Sequence, residues 1–259
     1  MYQTALITGA SSGIGEAFAR ELAKQKYHLV LVARNTEKLN QIASELAKQY
    51  DISVHVITAD LSQPHTASSI YQQTEERGIQ VDFLINNAGF GTFGPFHTID
   101  PKSDHDQVMV NVATLVDLVH LYLPAMVSRK QGQIINVASM AGFIPLPYMA
   151  VYGATKAFVI SFSEALWSEY REYGIHILAL CPGYTKTNFF QTANVDASVP
   201  KKGLRTPEQV VQSALTALKK GKDVVVDGKV NRSLWSLIKI TPRKQITSLV
   251  KKTLAKEFK

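Results

Sequence analysis

The chain has 259 residues, 46% of them hydrophobic, with 28 Lys and Arg against 21 Asp and Glu for a net charge of +7. That length fits one large α/β domain or two small ones, and the apolar share is ample for a sizeable core. A single cysteine, Cys181, excludes an intrachain disulfide, the seven histidines show no metal-ligand spacing, and no stretch is expected to reach the roughly 18 apolar residues of a bilayer span. Met1 and Tyr2 run straight into an apolar strand, so no signal peptide is expected, and the cytoplasm is the expected compartment. From Gly228 to Lys259 nine Lys and Arg face one acid, Glu257, a local +8 that leaves residues 1–227 at −1. The basicity belongs to the tail. A nucleic-acid partner is not expected, because no basic stripe with stacking aromatics is visible.

In chain order, Thr4–Thr8 is an apolar strand followed at once by Gly9-Ala-Ser11-Ser12-Gly13-Ile14-Gly15 and an amphipathic helix over Gly13–Lys26. Glycines between a strand and a helix let the backbone approach a phosphate, and the helix N-terminus offers free N–H groups and partial positive charge. Strands follow at His28–Val32, Val54–Thr58, Phe83–Asn86, Gln133–Ala138, Ile175–Cys181 and Val224–Val226. Helices are expected between them at Thr36–Gln49, Pro64–Arg77, Asp104–Arg129, Val151–Tyr173 and Pro207–Lys220. Near-continuous apolar strands alternating with helices predict a parallel, doubly wound sheet of about seven strands covered on both faces. The segment Gly183–Thr206 lacks periodicity and has the length of a binding loop. Residues 1–227 make one catalytic domain in this reading, and 228–259 a basic helical extension.

Arg34 follows the second strand, where Ala33 stands in place of an acid. An arginine there offers a fork to a ribose 2′-phosphate, or is simply a solvated strand-end residue. Asp60 and Leu61 follow the third strand; Ser62, before Pro64, is the expected helix cap. Asn111 sits inside a helical run, where asparagine is a poor fit, so either a functional role or an amide bonded to a neighbour is expected. Ser139 ends the fifth strand, at the edge where open α/β sheets bind ligands, though a capping serine is the commoner fate. Tyr152 and Lys156 are four apart on one helix face, so phenol and ammonium are expected to meet and the cation to lower the phenol's pKa.

Together, Thr8-Gly-Ala-Ser-Ser-Gly-Ile-Gly15, Asp60, Asn86-Asn-Ala-Gly89, Asn111, Ser139, Tyr152-x-x-x-Lys156 and Pro182-Gly183 resemble the short-chain dehydrogenase/reductase family over about Thr4 to Val226. The resemblance implies a Rossmann-type sheet of order 3-2-1-4-5-6-7 and hydride transfer with a nicotinamide cofactor. It implies that Asn111, Ser139, Tyr152 and Lys156 carry the chemistry. It implies cofactor contacts from Gly9, Ser11, Ser12, Gly13, Ile14, Gly15, Asp60, Leu61, Asn87, Ala88, Gly89, Tyr152, Lys156, Pro182, Gly183, Thr185 and Thr187. With Arg34, the expected cofactor is NADP(H). Phe143, Pro145, Leu146, Pro147, Phe189 and Phe190 suggest an apolar mouth, hence a hydrophobic carbonyl or alcohol substrate, or else simply cover the core. The alternative is a catalytically idle NADP-binding sensor or scaffold. Phe158, Phe162, Leu166 and Trp167 suggest a homodimer or homotetramer, or else all pack within the monomer. The tail's apolar residues at helical spacing among lysines fit either a helix packed on the domain or contact with a membrane surface.

Overall fold

The computed structural model describes residues 3–187, 189 and 204–255. Seven strands, β1 (Thr4–Thr8), β2 (His28–Ala33), β3 (Val54–Thr58), β4 (Phe83–Asn86), β5 (Gly132–Val137), β6 (Ile175–Cys181) and β7 (Val224–Val226), form one sheet in the order β3-β2-β1-β4-β5-β6-β7. Every pairing is parallel. Alternate side chains of β1 serve opposite faces, yet Ala5, Leu6 and Ile7 are all fully buried. That double burial is why the strands are continuous apolar runs.

The helices are α1 (Gly13–Lys24), α2 (Thr36–Tyr50), α3 (Thr66–Glu76), α4 (Pro101–Val108), α5 (Thr114–Arg129), α6 (Ala150–Tyr170), α7 (Pro207–Lys219), α8 (Lys229–Ile240) and α9 (Arg243–Leu254). One core layer holds Phe18 and Leu22 of α1, Leu39, Ile42 and Leu46 of α2, and Val210 and Ala214 of α7 against one face of the sheet. The opposite layer holds Ile70 of α3 and Leu118, Tyr122 and Met126 of α5, with Phe162 and Leu166 of α6 packed at its side.

Several boundaries differ from the sequence expectation. α1 stops at Lys24, and Lys26 takes a left-handed φ of 65°. α3 starts at Thr66, and Ser62 is not its cap: the Ser62 N–H and Oγ both donate to Asp60 Oδ1, at 3.0 and 2.8 Å, which turns the chain first. The helical rod expected from Asp104 begins at Pro101, capped by Asp100, and is interrupted by a π-turn over Met109–Ala113. By length and composition Pro101–Arg129 is apolar enough to cross a bilayer, against expectation. Its apolar face lies on the sheet, with Leu115, Leu118, Val119, Tyr122 and Met126 buried. The tail forms α8 and α9; Lys256, Phe258 and Lys259, like Phe190 of the expected mouth, lie outside the described residues.

Candidate active site

The glycine turn between β1 and α1 is held from β4. Thr8 Oγ1 accepts from the backbone N–H groups of Asn87 and Ala88, both at 3.0 Å, and Asn87 Nδ2 donates to Thr8 O at 2.9 Å. Gly9 and Gly13 have φ of 65° and 57°. A Cβ on Gly9 would stand 2.8 Å from Asn87 Nδ2, one on Gly13 would stand 2.9 Å from Thr187 Cγ2, and one on Gly15 would collide with the Gly9 carbonyl. Ser12 precedes α1 in extended conformation and makes no side-chain cap bond. The first N–H groups of α1 therefore face outward without a side-chain cap, beside Ser11 and Ile14, in a cradle only glycines permit. Thr8 was not singled out from the sequence; a hydroxyl at the last strand position before a glycine turn is the signal that marks it.

Arg34 is exposed at the end of β2, next to buried Ala33, and makes no hydrogen bond or ion pair among the described residues. Its charge reaches Asp60. The Asp60 carboxyl is held below its usual range first by the Ser62 N–H, with smaller help from the Ser62 hydroxyl and Arg34. Leu61 is buried, and its carbonyl accepts from Thr114 Oγ1 at 2.8 Å, which fixes this loop to α5.

Tyr152 and Lys156 are both buried on α6. Burial pushes the Tyr152 phenol's pKa up to about 12, against a smaller opposing pull from the Ser139 side chain. Burial also takes the Lys156 ammonium down to about 8. Lys156 Nζ donates to Val137 O at 2.7 Å and stands 5.9 Å from the centre of the Tyr152 ring. The expected lowering of the phenol by its lysine is therefore not found here. Helical spacing puts both stems on one face, but the long lysine chain carries its head to the carbonyl that ends β5. Ser139 does cap the short 3₁₀ turn Met140–Phe143, its Oγ accepting from Ala141 N at 3.1 Å, and its side chain also acts on the Tyr152 phenol.

Asn111 sits in the π-turn. Its Nδ2 donates to Phe90 O at 3.0 Å and Thr155 Oγ1 at 3.1 Å, and its Oδ1 accepts from Phe90 N at 3.2 Å. The wide turn thus aims a helix side chain at a loop, as π-turns at functional sites do. A Cβ on Gly89 would lie 3.0 Å from Asn111 Oδ1 and 3.2 Å from Lys156 Nζ, so the structure brings Gly89, Asn111 and Lys156 to one point.

The lysine has a measurable consequence. Its folded pKa near 8 lies below the ordinary 10.5, so the folded state disfavours the charged form. That cost is complete below about 8 and disappears as pH rises through 10.5. Denaturant melts of native protein and Lys156→Met should show the native chain gaining stability relative to the variant across that window.

After β6, Pro182 O accepts from Met140 N at 2.9 Å, Thr185 Oγ1 donates to Gly183 O at 3.1 Å, and Thr187 N donates to Thr185 O at 2.8 Å. Thr185 pairs with Arg205 in a parallel bridge. Arg205 in turn grips the fully buried Asp227 through Nε at 3.0 Å and Nη2 at 2.9 Å, and Asn231 Nδ2 of α8 donates to Asp227 O at 2.7 Å. This clamp fixes the segment carrying Thr185 to the start of α8. A lone charge closing the apolar strand Val224–Val226 is its only sequence signal. Phe189 packs on the Tyr152 ring at 5.2 Å, and Phe143 packs on Trp235 of α8 at 5.6 Å, with Pro145, Leu146 and Pro147 half-buried nearby in sequence. Cys181 at the end of β6 is fully buried, and its burial pushes the thiol far up.

The site therefore sits at the carboxyl edge of a doubly wound sheet, the position of dinucleotide-dependent enzymes. A family model described as short chain dehydrogenase matches residues 3–198, and the chain belongs to that family of oxidoreductases. A very-long-chain 3-oxoacyl-CoA reductase from Anas platyrhynchos is 34% identical over 217 residues, covering 82% of this chain and 67% of that protein. A short-chain dehydrogenase from Sphingobium yanoikuyae, solved in complex with NADPH, superposes with a TM-score of 0.82 at 30% identity, covering 93% of this chain and 97% of that one. A structure described for 7beta-hydroxysteroid dehydrogenase stereoselectivity gives a TM-score of 0.88 at 29% identity, covering 96% of each chain.

Proposed function

We propose that the protein reduces the carbonyl of a large hydrophobic molecule, or oxidises the matching alcohol, with NADP(H). The observation that carries this reading is the Ser139–Tyr152 hydroxyl pair beside a buried lysine, under the aromatic ring of Phe189. The glycine cradle and the uncapped start of α1 fit the pyrophosphate, and Arg34, with Ala33 in place of an acid, fits a 2′-phosphate. Asp60, Leu61, Asn87, Ala88 and Gly89 fit the adenosine side, and Pro182, Gly183, Thr185 and Thr187 the nicotinamide side. When bound, the cofactor supplies the hydride. Ser139 orients the substrate oxygen through its hydroxyl. Tyr152 holds the proton that passes to or from that oxygen. Lys156 holds the ribose, its ammonium 5.9 Å from the centre of the Tyr152 ring. Asn111 fixes the loop at Phe90 and keeps a polar path open toward Lys156.

The apolar mouth and the bulk of the molecules named for the relatives both favour a long acyl or polycyclic substrate. NADPH consumption across long-chain 3-oxoacyl thioesters, steroid ketones and bulky aryl ketones tests the reading, beside a cofactor titration. Turnover with one class supports it. Cofactor binding without turnover across the panel supports the idle sensor or scaffold instead.

The exposed face of α6 supports pairing with a second copy. Phe158 is exposed and stacks on Phe162 at 5.7 Å, and Tyr173 beyond the helix is exposed too. Light scattering at micromolar concentration should give a dimer or tetramer mass, and Phe158→Glu should lower it. A monomeric native protein would end this part of the proposal.

A further inference from the structure

Helix α8 presents two apolar faces, and only one has a partner. Trp235 and Ile238, with Asn231, turn toward the domain; Trp235 packs on Phe143 and joins the cluster of Met140, Val159 and Val226. Val230, Leu234 and Leu237, at positions i, i+4 and i+7, make a second stripe that faces out. Their relative exposures are 81, 48 and 56%, and Ile240 at the end of the helix and Leu249 of α9 reach 80 and 67%. A helix whose job was only to cover the domain would carry polar residues there. Large hydrophobics left in water in such number on two short helices are a liability unless something covers them.

The charges around the stripe name what covers it. Between residues 229 and 255 there are seven basic residues, Lys229, Arg232, Lys239, Arg243, Lys244, Lys251 and Lys252, and no acidic one. Lys239 lies over the Trp235 ring at 3.5 Å, keeping its charge next to the apolar surface. Leucine and valine on one helix face flanked by lysine and arginine match the two layers of an anionic lipid surface, acyl chains below and phosphates above. A protein partner or a second copy would need acidic groups set against these cations, and the tail offers no acid for self-pairing among those residues.

We propose that α8 and α9 form a docking surface for anionic membrane lipid. Because Trp235 ties α8 to Phe143, four residues beyond Ser139, docking holds the apolar mouth at the bilayer, where a hydrophobic substrate resides. The delivery of substrate rests on the carbonyl-reducing function proposed above; the docking itself does not.

The test uses the full chain and sedimentation with sucrose-loaded vesicles, a readout independent of catalysis. The protein should pellet with equimolar phosphatidylcholine and phosphatidylglycerol at low salt and stay in solution with phosphatidylcholine alone. Leu234→Ser/Leu237→Ser should weaken partition more than about tenfold, since each leucine leaves the lipid. Lys251→Glu/Lys252→Glu should do the same at low salt and make little difference at molar salt. All these positions are exposed, so the variants should fold and keep the native circular dichroism and NADPH affinity. The proposal is overturned if the native chain stays in the supernatant with anionic vesicles at low salt. It is equally overturned if the leucine pair leaves partition unchanged, or if that pair splits the oligomer in light scattering, which would assign the face to a second copy.

Discussion

Tyr152→Phe is expected to lose turnover by about 10²–10⁴-fold, the usual scale of a positioned proton donor, while binding NADPH as the native protein does. The substitution removes one oxygen. The ring that packs on Phe189 at 5.2 Å stays, and Ser139 Oγ keeps the Ala141 N–H as a partner. The variant should therefore melt near the native temperature. Cofactor fluorescence titration beside steady-state kinetics separates the two quantities. Near-native kcat in the variant would remove Tyr152 from the chemistry.

Arg34→Glu should invert the cofactor preference. The native guanidinium is exposed and has no partner to give up, so binding a phosphate costs it little. Charge-assisted hydrogen bonds contribute about 1.5–3 kcal/mol each, so losing a bidentate fork and adding repulsion should move the NADPH/NADH ratio of kcat/KM by more than about 100-fold. The pKa of Asp60 supplies an internal control. It is lowered chiefly by Ser62 and only in small part by Arg34, so the β3 turn should survive the substitution. An unchanged ratio would mean that the 2′-phosphate is read elsewhere.

The sheet was legible because its central strands are buried on both faces. Thr4–Thr8, Val54–Thr58 and Ile175–Cys181 are mostly apolar runs between polar turns, broken only by His55 and His176, and their limits match the expectation residue for residue. The positions of Ser139, Tyr152 and Asn111 were legible too, since strand ends and helix spacing fix a side chain's root. Where a long or polar side chain ends was not. Lys156 could have reached the phenol by spacing alone; the free carbonyl of Val137, set by β5, decided otherwise. The π-turn at Met109–Ala113 adds a residue to one helical turn without changing composition, so no periodicity announces it. The start of α3 depended on whether Asp60 or Ser62 captured the local N–H groups, a competition between two good capping residues. The Arg205–Asp227 clamp joins residues 22 apart across a whole helix and strand, and a strand-end aspartate alone does not say which cation will find it.

The burial of Cys181 has a practical consequence. It is the chain's one sulfhydryl, fully enclosed at the end of β6, with its thiolate strongly disfavoured. Maleimide and iodoacetamide reagents, which need an accessible thiolate, should leave the folded protein unmodified. The native chain is thus already a silent background for site-directed labelling. A cysteine introduced at Leu237 would be the sole position to take a polarity-sensitive dye, and its emission would report the environment of the α8 face directly.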